Sequence, residues 1–130
     1  TAAVEQTGMR KALLAGGGED FRLAEQFLAG KDLVPLCRRA GERGAPFFAA
    51  VRLVLRDVMF CAAGQERYLA LPASEVRPLA ARYPAGAAAA ALGFAAQSER
   101  ELIFNANGAQ AALTLALRIG KELEKWHKLS

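Results

Sequence analysis

Residues 109–128 read AQAALTLALRIGKELEKWHK, and their spacing decides the fold. Thr114, Arg118, Lys121, Lys125 and Lys128 recur at steps of four and three, so a helix gathers them into one narrow polar stripe. Ala112, Leu115, Ala116, Ile119, Leu123 and Trp126 form an apolar stripe. Leu113, Leu117 and Gly120 form a second one beside it. A helix apolar over so wide an arc needs neighbours on two sides. The chain's own core can supply both, or a neighbouring subunit can supply one.

Helical spacing recurs upstream, and almost no segment alternates apolar and polar residues with the period of a strand. Val4–Ala15 predicts a short helix closed by Gly16-Gly17-Gly18. Glu19–Ala29 predicts a second, with Phe21, Ala24, Phe27 and Leu28 on one face and Gly30 as its stop. Asp32 is placed to cap a third that runs to about Arg43, with Pro35 in its first turn. Pro46 opens a long helix to about Ala63 whose only charges are Arg52, Arg56 and Asp57, so it is expected to be buried over more than half its circumference. Gln65–Pro72 is a connector. Ser74 is placed to cap a helix to Ala81, which Pro78 limits or kinks. Ala85–Phe104 is Ala- and Gly-rich at first, which lets a neighbouring backbone come close. Asn105–Gly108 breaks the chain: Asn tolerates left-handed backbone, and Asn107 is a natural cap for the last helix. The expected fold is all-α, a bundle of about five to six helices in one domain over residues 1–130. Residues 1–18 are expected to be a loosely attached segment of that domain. The chain opens at Thr1 rather than Met and is expected to be a fragment of a longer one.

Several function classes fall away. The 130 residues carry 17 basic and 13 acidic side chains, a net charge of +4, too modest to define a nucleic-acid surface. No charge-free apolar run is long enough to span a membrane. Cys37 and Cys61 sit in apolar helical patterns and read as buried free thiols, as in a cytoplasmic protein. The triple glycine is followed by Glu19-Asp20, which repels phosphate, instead of the Lys-Ser/Thr pair of a phosphate loop. His127 is the sole histidine, so no set of converging metal ligands forms around it and a Cys or Ser nucleophile lacks its usual base. No cofactor and no catalysis are expected within this chain.

Two segments, in this order, carry a resemblance. Leu55-Arg56-Asp57-Val58-Met59 lies inside the long helix, and Phe104-Asn105-Ala106-Asn107-Gly108 precedes the Leu-rich stretch Leu113–Leu117. Together they resemble the C-terminal collar domain of bacterial DNA polymerase III clamp-loader delta-prime subunits. That domain carries a Leu-Arg-Asp-Leu-Leu-like stretch, then a helix ending in Asn-x-Asn, then a Leu-rich final helix. The resemblance covers roughly Phe21 to Trp126. It departs at Gly108, where Pro is frequent, and at Gln110 and Ala112, where bulkier apolar residues are common.

The resemblance implies a domain that packs in a ring with the equivalent domains of the gamma/tau and delta subunits. The ring holds together the ATPase domains that load the sliding clamp on primed DNA during replication. DNA is then met only indirectly, through the complex. Arg56, Asp57, Leu113, Leu117 and Trp126 are the candidate subunit-interface residues, and Asn105 and Asn107 are the structural turn and cap. Two alternatives stay open: the collar domain of gamma/tau itself, and a stand-alone helical adaptor that binds one partner.

Overall fold

The structure, a computed structural model, describes residues 18–104 and 107–129; the expected helix at Val4–Ala15 and the turn residue Asn105 lie outside them. The described residues form α1 (Gly18–Ala29), α2 (Leu33–Arg43), α3 (Ala45–Ala62), a 3-10 turn (Glu66–Tyr68), α4 (Ala73–Arg82), α5 (Ala85–Phe104) and α6 (Gly108–Leu129). No strand occurs among them, and the protein is an all-α helical bundle.

The central helix is α3, packed against α5, α1 and α4. Pro46 sits in its first turn, where a missing N–H costs little. Gly44, at φ +71°, both ends α2 and starts α3, a backbone conformation that a side chain would oppose. Phe47, Val51, Val54, Leu55 and Val58 are fully or almost fully buried. Phe27 of α1 meets Phe47 edge-on at 5.3 Å, and Phe47 meets Phe48 in the same way at 5.2 Å, the arrangement that ring quadrupoles favour. α6 lies outside this centre and packs on α2 and α5.

Two polar links tie the layers. Arg43 at the end of α2 holds the buried Asp20 of α1 by two hydrogen bonds, Nε to Oδ1 at 2.6 Å and Nη2 to Oδ2 at 3.0 Å. The buried Tyr83 hydroxyl donates to the Leu28 carbonyl at 2.7 Å. Both satisfy polar groups whose burial without partners would cost several kcal/mol.

Three local expectations are corrected. Asp32 occupies the N-cap of α2 but makes no side-chain capping bond, because its backbone is left-handed (φ 47°). Its carbonyl opens the helix instead, accepting from Leu36 N–H at 3.1 Å. α4 begins at Ala73, with Pro72 at the cap position, so Ser74 already lies inside the helix. Pro78 lies inside that helix, which runs to Arg82, one residue past its expected end. The third correction concerns the thiols: Cys37 is buried, whereas Cys61 is only partly so.

Candidate subunit interface

α6 starts where Asn107 caps it, its Oδ1 accepting the Gln110 N–H at 3.0 Å. One step on, the backbone of Gly108 lies so close to α2 that an added Cβ would stand 2.9 Å from the Gly41 Cα and carbonyl oxygen. A Cβ on Gly41 would in turn collide with the Ala109 backbone. This mutual approach leaves no room for a Cβ at either glycine. At the far end of the seam, Leu33 of α2 shares a small cavity of about 60 Å³ with Ala116, Ile119 and Gly120. The helices are therefore antiparallel, and their register puts Val34 level with the Ala116–Leu117 turn and Arg38 level with Ala112–Leu113.

Ala112, Leu115, Ile119 and Leu123 face the core and are buried. The second apolar stripe does not: Leu113 is 42% exposed and Leu117 61%, and Val34 of α2 is 70% exposed. These three side chains occupy the outer side of the α2–α6 pair, with Arg38 and Lys121 exposed beside them. The expected polar stripe is partly enclosed, since Thr114 and Arg118 are half-buried on the α5 side and Arg118 stands 4.0 Å from Glu101.

Trp126 closes the other side of α6. Its indole covers Gly86 of α5, where an added Cβ would collide with the ring, and its Nε1 donates to Glu122 at 3.0 Å. The tryptophan thus holds α6 to α5 within the chain and shows only part of its surface.

Arg56 and Asp57 lie apart from α6, on α3. Asp57 has no exposed surface to offer a partner. Its Oδ2 accepts from the Ala70 and Leu71 backbone N–H groups at 3.0 and 2.9 Å, and its Oδ1 lies 3.2 Å from the Ala70 N. The carboxylate thereby anchors the connector that leads into α4. Burial pushes its pKa up, while the two backbone amides and Arg56 pull it down. Arg56 reaches Asp57 Oδ1 at 3.2 Å and lies over the Phe60 ring. The candidate residues are therefore not one site. Leu113 and Leu117 share an open face, Trp126 and Asp57 serve internal packing, and Arg56 stands at a second surface.

Sequence reasoning missed Val34, whose place beside Leu117 depends on the α2–α6 register and has no local signal. It also missed the exposed Ile103 (79%) and Phe104 (90%) at the end of α5. A third omission is the pairing of Glu25 on α1 with Glu75 on α4. Burial and the neighbouring Glu75 carboxyl push Glu25 from the ordinary 4.5 up to about 7.

Among the described residues no three His, Cys, Asp or Glu side chains converge as metal ligands, and no helix is long and apolar enough to cross a membrane. Comparison with protein-family models, with curated proteins and with solved structures finds no match.

Proposed function

We propose that this domain is a subunit-assembly domain: the collar domain of a clamp-loader delta-prime subunit, packing against the equivalent domains of gamma/tau and delta. It contributes cohesion to the complex rather than catalysis. One observation carries the reading: α6 leaves Leu113 and Leu117 of its second apolar stripe exposed while its first stripe is buried. Fully burying a leucine is worth about 1.5–3 kcal/mol, so two half-open leucines and Val34 supply a useful anchor for a neighbouring helix. Stable interfaces bury about 1,200–2,000 Å² in total, and the length of α6 with the adjoining α2 suits that scale. The order of the Arg56-Asp57 and Asn105–Asn107 segments supports the particular family.

Native mass spectrometry tests this directly. The chain is measured alone and mixed with the C-terminal domains of gamma/tau and delta from the same organism. The expected result is a defined hetero-complex that Leu117→Glu abolishes while leaving the helical circular dichroism unchanged. A chain that stays monomeric with both partners would sink the proposal.

A further inference from the structure

A different surface forms where α3 ends and the 3-10 turn returns across it. The Arg56 guanidinium carbon lies 4.9 Å over the Phe60 ring. Phe60 and Tyr68 meet at 5.5 Å with their planes tilted by 43°. The Arg67 guanidinium carbon lies 4.8 Å over the Tyr68 ring. Two arginines thus bracket two aromatics at the surface. Arg67 and Tyr68 are exposed, and the Arg56 side chain is 30% exposed.

The acids nearby are already committed. Glu66 gives both carboxylate oxygens to Arg77, at 2.7 and 3.1 Å. Asp57 is buried on the connector's backbone amides and spares Arg56 a single 3.2 Å contact. Among the described residues Arg67 forms no ion pair. A ring beneath a guanidinium fixes its plane and strips water from one side, while the N–H edge stays free for an acceptor. An arginine held this way loses less freedom on binding than one waving in solvent.

We propose that the Arg56–Phe60–Tyr68–Arg67 stack is a recognition site for an acidic segment of a partner protein, with carboxylates meeting the edges of the two guanidiniums. Charge complementarity selects this occupant: the surface presents fixed forks that match carboxylates. Single-stranded nucleic acid fits less well, because base stacking uses open ring faces. Here each ring already has a guanidinium over it and the other ring against it. The site is independent of the assembly reading, since α6 packs on α2 and α5 and not along this end of α3.

The test is a nitrogen-15 NMR titration of the chain, including arginine side-chain signals, with two probes: a decapeptide alternating Glu and Gly, and a deoxythymidine decamer. The peptide is expected to shift the Arg56 and Arg67 guanidinium signals. Arg67→Lys keeps the charge but removes the planar fork, and is expected to weaken binding about tenfold. Arg38→Lys, an exposed position on α2, is expected to change nothing. Arg67 is exposed, so its replacement leaves the fold intact. Peptide binding undiminished by Arg67→Lys would reduce the effect to general charge attraction and overturn the proposal. So would tighter binding of the oligonucleotide at these residues, or no shift with either probe.

Discussion

Half of the 18 residues of α3 are buried, and they cover more than half of that helix's circumference; of the 22 residues of α6 only five are buried, all on one stripe. Both helices are apolar over a wide arc. The difference lies in their neighbours. α3 is surrounded by α1, α4 and α5, whereas α6 has α2 and α5 on one side and leaves Leu113 and Leu117 exposed. The width of an apolar arc therefore measures how many neighbours a helix needs. It does not say whether they belong to the same chain.

Four measurements sharpen or break that contrast. Leu55→Ala removes a side chain with no exposed surface at the centre of α3, and should cost about 4 kcal/mol in chemical denaturation, the range for fully buried leucines. A loss below about 1 kcal/mol would mean that α3 is not the packed centre. Asp57→Ala should cost about 2–3 kcal/mol, because the Ala70 and Leu71 N–H groups lose their buried acceptor. Exchange of those two amides with deuterated solvent should accelerate with it; unchanged exchange would remove the anchoring role.

A smaller effect depends on pH. Glu25 binds its proton more tightly in the folded chain than in the unfolded one, so stability should fall as pH rises from about 4.5 through 7. Glu25→Gln should flatten that decline in urea melts taken at about pH 5 and pH 8. An unaltered slope would place the titration elsewhere. The smallest change belongs to Leu117→Ala, expected to move the stability of the isolated chain by no more than about 0.5 kcal/mol, since its side chain is already mostly in water. A loss comparable to that at Leu55 would erase the distinction between the two helices.

The helices themselves were legible from hydrophobic spacing, and α5 matches its expected Ala85–Phe104 bounds. The two apolar stripes of α6 were also legible, including the one that the fold leaves open. What was not legible depends on distant groups. Ser74 looks like a cap by residue type, yet Asp57 pins the Ala70 and Leu71 amides and delivers the chain so that Pro72 accepts the first helical bonds, from Glu75 and Val76 at 3.0 and 3.3 Å. A tertiary anchor outweighs a local preference there. Arg56 and Phe60 stand four apart on a helix, so that cation–ring pair had a local signal, whereas the adjacent Arg67 and Tyr68 had none. The meeting of the two rings had none either, because it requires the 3-10 turn to fold back onto α3.

The contact between Gly41 and Gly108 also bears on the order in which the chain can finish folding. The two residues are far apart along the chain, and the contact allows no side chain between the helices. Nothing shorter than the span from α2 to α6 can complete that seam. At translation rates of about 5–20 residues per second, α2 leaves the ribosome several seconds before its partner does. During that interval the face of α2 carrying Leu33 and Gly41 lacks the helix that later packs on it. Exposure of this face to chaperones and to premature association therefore ends only when α6 arrives.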